Sequence, residues 1–245
     1  MDPLTKPRPG AGVASAEFRP TRYRPPGGST RALLVRHGLQ DAYRPHEDSA
    51  NQGDPALAPG GQRQAQRLAT RLSEAGVGVI CTSPARRARE TAEPLARLLE
   101  LRPIVLEELR EVGLGEWEGG AVHRRLREKD PAWARVLKTE RWDAIPGAES
   151  NEELHGRVAR VLLEVRERFP GQVVAVFTHD GVIAAALALA ARASSFAFAS
   201  SDHASISELV LESQGGWRVR SFNDTCHLRA REPREPREPR EPRRR

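Results

Sequence analysis

Apolar positions along the chain fall into short unbroken runs separated by longer stretches with helical spacing. Arg31-Ala-Leu-Leu-Val35, Val77-Gly-Val-Ile-Cys81 and Val173-Val-Ala-Val-Phe177 are brief continuous runs, as in strands buried on both faces. Ala65, Leu68, Ala69 and Leu72 recur at helical spacing and predict a helix over 61–74. A second helix is predicted over 85–101, with Leu95, Leu98 and Leu99 facing inward. A short strand is expected at 104–106 and a short helix at 133–137. An amphipathic helix is expected at 150–169 and an apolar one at 182–192. Residues 206–211 and 217–222 alternate enough to form a closing hairpin around Gly215-Gly216. Buried strands alternating with helices imply a parallel or mixed sheet covered on both faces. The expected fold class is therefore α/β: a three-layer α/β/α sandwich with a mostly parallel central sheet. In such sheets the active site lies just beyond the carboxyl ends of the strands.

The two ends of the chain read differently. Ten of the first thirty residues are Pro or Gly, which predicts an irregular, disordered arm over 1–30. The C-terminus repeats Arg-Glu-Pro from Arg231, and a proline at every third position forbids a helix or a central strand. A disordered tail is expected over 229–245, leaving one domain over 31–228. Net charge is +6, but the segment Arg231–Arg245 holds seven Arg against four Glu, which places +3 of it outside the body. The body is only mildly basic, so no nucleic-acid partner is expected. Val182–Ala191, the longest apolar stretch, has 10 residues, against the roughly 20 needed to span a bilayer, so no membrane partner is expected either. No apolar leader precedes Arg31, and two cysteines, Cys81 and Cys226, cannot build a disulfide framework, so a reducing cytoplasm is the expected compartment. Three of the 39 basic residues are lysine; this Arg-rich, Ala- and Pro-rich usage points to a GC-rich, bacterial coding sequence. The oligomeric state stays open, with a dimer among the options.

Three strand ends carry chemistry. The first run ends in Arg36-His37-Gly38 and the third in Thr178-His179-Asp180-Gly181. The second ends in Thr82-Ser83-Pro84, with Arg86, Arg87 and Arg89 in the following helix turn. Singly, each has a bland reading: a hydrogen-bonded loop histidine, or a solvated basic helix face. Together, two histidines and several arginines around one crevice suit a phosphoryl group. Arginine forks match phosphate oxygens, and a neutral imidazole can attack phosphorus. Nearby Arg lowers a histidine's pKa and keeps its lone pair free.

A longer set of ordered motifs resembles the histidine phosphatase superfamily, which includes the cofactor-dependent phosphoglycerate mutases. Arg36-His37-Gly38 is similar to its Arg-His-Gly signature. Ser83-Pro-Ala-Arg-Arg87-Ala-Arg-Glu-Thr91-Ala92 is similar to its Ser-Pro-Leu-x-Arg-Ala-x-Gln/Glu-Thr-Ala element. Asp54-Pro-Ala-Leu57 through Gly61, Gln64 and Ala65 follow its first helix, and Leu109-Arg-Glu111 through Trp117-Glu-Gly119 its acid-bearing loop. Pro146-Gly-Ala-Glu149-Ser150, Thr178-His179, Asn223-Asp224 and His227-Leu228 complete the series over about 31–228. The resemblance implies His37 as nucleophile, forming a phosphohistidine. It implies Arg36, Arg87 and His179 as the phosphoryl cradle and Glu111 as the proton donor, in preference to Glu116 and Glu118. An acid beside a dianionic phosphate has a raised pKa, as donation near neutral pH requires. His37 also needs a partner for its second ring nitrogen, and a backbone carbonyl is expected.

Departures from the family pattern bear on specificity. The family commonly places Asn where Tyr43 stands and Glu-Thr/Ser at Leu39-Gln40. Gln40 is the candidate to supply the missing amide, beside Arg36, Gly38, Arg87 and His179 as substrate-binding residues. Asp180 stands where the family has Gly, and its carboxylate would repel a phosphate unless it points away. Gly113-Leu-Gly115 lacks dinucleotide-loop spacing because the next glycine falls at 119. His46-Glu47-Asp48 offers ligand types but sits in an irregular stretch. No metal or cofactor is expected, and Cys81 reads as core. The favoured function is a metal-independent phosphomonoester hydrolase acting on a small phosphorylated metabolite. The alternatives are mutase-type phosphoryl transfer and a catalytically weak protein that binds phosphorylated ligands.

Overall fold

Strand β1 (Thr30–Arg36) sends Ala32 and Leu34 to one face of the sheet and Leu33 and Val35 to the other, all of them buried. With both faces apolar, such a strand can only be central. The computed structural model describes residues 23–41, 54–118 and 121–229. Residues 1–22 of the arm expected over 1–30, Tyr43, the His46–Asp48 stretch and the Arg-Glu-Pro repeats lie outside the described residues. The six-stranded sheet has the order β3-β2-β4-β1-β5-β6. Strands β2 (Val77–Thr82), β3 (Ile104–Val105) and β4 (Val173–Thr178) run parallel to β1. Strand β5 (Ile206–Leu211) returns antiparallel to β1, and β6 (Trp217–Asp224) pairs antiparallel to β5 as the expected hairpin.

Helices cover both faces. Helix α1 (Pro59–Ser73) and α2 (Arg86–Leu99) bury Leu68, Ala69, Leu72, Ala92 and Leu95 against Leu33, Val35, Ile80 and Phe177. On the opposite face α5 (Asn151–Arg168) and α6 (Asp180–Ala191) pack Leu154, Val158, Val161, Ile183 and Leu187 against Ala32, Leu34, Cys81 and Val176. This is the three-layer sandwich with a mostly parallel sheet. Among the described residues no helix is long and apolar enough to cross a membrane. A small satellite core around Trp117, Val136 and Ile145 seats α4 (Pro131–Thr139), beside α3 (Ala121–Arg127). Helix α4 begins with Pro131 after Asp130, whose carboxylate accepts the Ala132 amide.

Two expectations are corrected. Leu98 is not inward but 56% exposed. The buried stripe of α2 runs through Ala88, Ala92, Leu95 and Ala96, and Leu98 lies about a quarter turn off its centre at 3.6 residues per turn. Residues 23–30, assigned from the sequence to the irregular arm, lie against the sheet edge. Tyr23 donates to Glu212 at 3.0 Å and stacks under Arg220, while Ser29 and Thr30 are buried and β1 already begins at Thr30. Proline and glycine content alone does not show that a segment has an edge strand to pack on.

Candidate active site

The sheet register brings the two signature histidines together. Arg36, the last residue of β1, is paired with Thr178, the last residue of β4. His37 and His179 each follow by one residue, so their rings lie 5.2 Å apart between centroids in an edge-to-face arrangement. His37 is 3% exposed and His179 is fully buried. On the other side of β4, Thr82 pairs with Phe177, which places Ser83 beside His179. Helix α2 then starts at Arg86 and brings Arg87 over the same end of the sheet.

The hydrogen bonds fix the tautomers. His37 Nδ1 lies 2.8 Å from the Gly38 carbonyl oxygen, which can only accept. The proton therefore sits on Nδ1, and the lone pair on Nε2 is left for chemistry. The partner is a backbone carbonyl, the type expected from the sequence. Arg87 Nη2 lies 3.2 Å from His179 Nδ1, and a guanidinium can only donate. His179 Nε2 thus carries the proton and donates to Ser83 Oγ at 2.8 Å. Burial first, and the Arg87 charge second, hold both imidazoles well below the ordinary histidine range. Both are neutral at pH 7.

Glu111 comes from the loop between β3 and α3. Its Oε1 accepts the amides of Val112 at 2.9 Å and Gly181 at 3.2 Å. Burial raises its pKa, and Asp180 adds to the rise. The Val112 amide, Arg87 and Arg36 oppose it without cancelling it. Glu116 and Glu118, the rival carboxylates, are exposed. Asp180 points away from the two histidines. Its carboxylate accepts from Ser200 N at 2.9 Å and from Ser201 N and Oγ at 2.7 Å each. Arg36 in turn donates to the Ser201 carbonyl. Gly38 is buried with its amide on Thr91 Oγ1 at 2.9 Å. Gln40 is half-buried and pairs by backbone with Leu57. No hydrogen bond ties its side chain to Arg36, His37, Arg87, Glu111 or His179 among the described residues. The Nε atoms of Arg36 and Arg87 are buried without a hydrogen-bond partner, so the site retains donor capacity.

Sequence reading did not single out three residues here. Arg157 on α5 is 2% exposed and satisfies all five of its N–H groups. It reaches Glu149 through Nε at 2.6 Å and Nη2 at 2.8 Å, and the carbonyls of Glu108, Arg110 and Glu111 at 2.6, 2.8 and 3.1 Å. It therefore clamps the loop that carries Glu111. Asp54 takes the Arg86 amide at 2.8 Å and lies 3.6 Å from Arg87 Nη1. His203, in the loop before β5, places its ring 5.4 Å from that of His37. Only the helical period of α5 hinted at Arg157, and nothing in the sequence marked the strand direction that brings His203 here.

The site combines a neutral, oriented imidazole with a free lone pair, two guanidinium groups and a carboxyl of raised pKa at the carboxyl end of the sheet. Such a set of groups can engage a phosphoryl group, and the fold that carries it is a phosphoglycerate mutase-like α/β fold. A sequence model of the histidine phosphatase superfamily (branch 1) matches residues 32–225, and the chain belongs to that superfamily. It is 32% identical over 205 residues to a bifunctional protein of Mycobacterium tuberculosis, covering 82% of this chain and 56% of that protein. The chain thus spans little more than half the length of that relative. It is 30% identical over 200 residues to phosphoserine phosphatase 1 of Hydrogenobacter thermophilus, covering 81% and 94% of the two chains. Among solved structures it resembles a mycobacterial glucosyl-3-phosphoglycerate phosphatase, with 27% identity, a TM-score of 0.68, and 80% and 100% of the chains covered.

Proposed function

We propose that this chain is a phosphomonoester hydrolase for a small phosphorylated metabolite, working through a phosphohistidine at His37. The observation that carries the reading is the His37–Gly38 hydrogen bond, because it fixes the tautomer that leaves Nε2 nucleophilic. Nε2 attacks phosphorus as the ester P–O bond breaks. Glu111, whose carboxyl burial pushes above the ordinary value and so toward the protonated form, gives its proton to the leaving oxygen. Arg36 and Arg87 hold the equatorial oxygens; His179 and the Gly38 amide, bonded in the free protein to Ser83, Arg87 and Thr91, join them once those bonds exchange for bonds to phosphate, with Gln40 offered from the following loop. In the second half, the Glu111 carboxylate takes a proton from water. The resulting hydroxyl attacks phosphorus, the N–P bond breaks, and phosphate leaves with His37 regaining its lone pair. The arginines supply the positive charge for this sequence, so it needs no metal. Asp180 is held by its hydrogen bonds to Ser200 and Ser201, and its charge favours the protonated forms of Glu111 and His203. The likeness to a phosphoserine phosphatase and to a glucosyl-3-phosphoglycerate phosphatase supports water as the final acceptor.

The test is phosphate release from an aryl phosphate and a panel of phosphorylated metabolites in excess chelator. The wild type should turn over, His37→Ala should not, and Glu111→Gln should fall by roughly 10²–10⁴-fold with leaving groups of high pKa. Turnover that survives in His37→Ala, or that vanishes with chelator in the wild type, would overturn the reading.

A further inference from the structure

His37 is flanked by two imidazoles at nearly equal distance. His179 stands 5.2 Å away on one side and His203 5.4 Å on the other. Their bonding states differ. Both nitrogens of His179 are engaged, by Ser83 and Arg87. His37 spends Nδ1 on Gly38. His203 makes no hydrogen bond among the described residues, and it is half-buried at the lip of the site.

The loop that carries His203 is otherwise fully tied down. Asp180 holds the Ser200 and Ser201 amides, and Arg36 holds the Ser201 carbonyl. Asn223 accepts the Asp202 amide at 2.7 Å and donates to the Asp202 carboxylate at 2.8 Å. The Ala204 amide meets the carbonyls of Arg36 and His37 at 3.1 Å each, and His227 Nε2 lies 3.0 Å from the Ala204 carbonyl. A loop pinned at residues 200, 201, 202 and 204 leaves the imidazole between them with one fixed place and unspent donor and acceptor capacity. A partly buried polar group that the protein leaves unpaired is a group available to a ligand.

We propose that His203 is a substrate-contacting residue that hydrogen-bonds a phosphoryl oxygen, and that it gains a proton from solvent when a phosphate dianion binds beside His37. The inference rests on the phosphoryl-site reading above. In the free protein His203 is neutral. Burial first, then the Arg36 charge and, more weakly, the Arg87 charge, hold it down to about 4 against the raising effects of Asp180 and Asp202. These groups and His37 are the charged and titratable neighbours that face the ring. A dianion placed among them reverses the local balance and favours the imidazolium, which then offers a charge-assisted hydrogen bond. A neutral imidazole in the free protein and a cation in the complex make this side chain's contribution to dianion binding grow as pH falls, without a third permanent cation beside the nucleophile.

The test uses inorganic phosphate with the full chain, by calorimetry at pH 6 in two buffers of different ionisation enthalpy. Inorganic phosphate, mostly monoanion at this pH, releases a proton when it binds as the dianion, so the signature is a difference: the wild type should take up about one proton more, or release about one fewer, than His203→Ala. His203→Ala should also weaken phosphate binding roughly tenfold, the size expected for losing a hydrogen bond to a charged group. His203→Gln keeps a neutral donor of similar reach, so it should stay within a few-fold in affinity but show the same proton difference from the wild type. Far-UV circular dichroism verifies that both variants fold. Unchanged affinity and proton balance in His203→Ala would overturn the inference while leaving the phosphoryl site intact. A wild type that binds no phosphate would instead overturn the site reading, and this inference with it.

Discussion

Gly181 sits against the carboxylate of Glu111. A Cβ there would lie 2.8 Å from Glu111 Oε1 and 3.1 Å from Val112 Cγ1, while the Gly181 amide is one of the two donors that orient the carboxyl. Gly181→Ala therefore displaces Glu111, the proposed acid, and not His37, the proposed nucleophile. The expected outcome is a kcat lower by about tenfold or more, since positioned acid–base catalysis contributes roughly 10²–10⁴-fold, with phosphate affinity little changed. Steady-state kinetics with phosphate-inhibition constants checks it; equal losses in kcat and phosphate binding would mean that the whole site had moved. At this scale much was legible in the sequence. The histidines, Arg87 and Glu111 fall in motifs whose spacing survives without coordinates. The Asp180 problem was legible too, but its solution was not. Its three acceptor contacts go to Ser200 and Ser201, which only a turn of chain 20 residues later brings near. His203 was invisible for a similar reason, lying in a short polar stretch with no periodicity of its own.

Helix α2 shows how a local motif becomes a scaffold. Ala88 and Ala92 are fully buried and let the helix approach the sheet. Thr91 accepts the Gly38 amide and donates to the Arg87 carbonyl at 2.6 Å, and Glu90 accepts the Leu57 amide at 2.7 Å. One helix thus fixes the loop after His37 and the start of α1 while presenting Arg87. On the other face, α5 begins with a capping box between Ser150 and Glu153 and carries Arg157 inward. Burial alone would raise the Glu149 carboxyl, but Arg157 and the Gly113 amide hold it below its ordinary range. Arg157→Lys keeps the charge but cannot reproduce five fixed donors. Its expected signature is a lower kcat through a loosened Glu111 loop. Arg157→Ala should in addition lose about 3–5 kcal/mol of stability, because it strands Glu149 in a buried position. Urea unfolding beside kinetics checks this; wild-type kcat in Arg157→Lys would remove the clamp from the account. The helix was readable from sequence. The clamp was not, because its five acceptors come from residues 108–111 and 149, and only the tertiary fold assembles them.

The whole molecule places its chemistry at the carboxyl ends of β1, β2 and β4, as expected for an open α/β sheet. The antiparallel return of β5 adds a fourth contribution, since Val35 pairs with Ile206 and the start of β5 meets the end of β1. Alternation in the sequence identified that hairpin but carried no sign of which edge it joined. The burial of so many imidazoles has a global consequence. His37, His155, His179, His203 and His227 all lie below their ordinary value of 6.5 in the folded chain. As pH falls below 6.5 the unfolded chain binds protons that the folded chain refuses, so stability falls. Glu111, with its raised pKa, acts in the opposite direction, losing stability as pH rises above 4.5, but it is one group against five. The urea midpoint should be lower at pH 5 than at pH 7, and the drop should be smaller in His203→Gln. An equal or higher midpoint at pH 5 would contradict the burial of these rings.

The central claim is a covalent N–P bond at His37, and rapid quench with a phosphorus-labelled substrate tests it most directly. The expected result is a burst of protein-bound label that is labile in acid and stable in base, that maps to the peptide bearing His37 and that is absent in His37→Ala. Turnover without bound label on any quench timescale, or label that maps elsewhere and persists in His37→Ala, would contradict it.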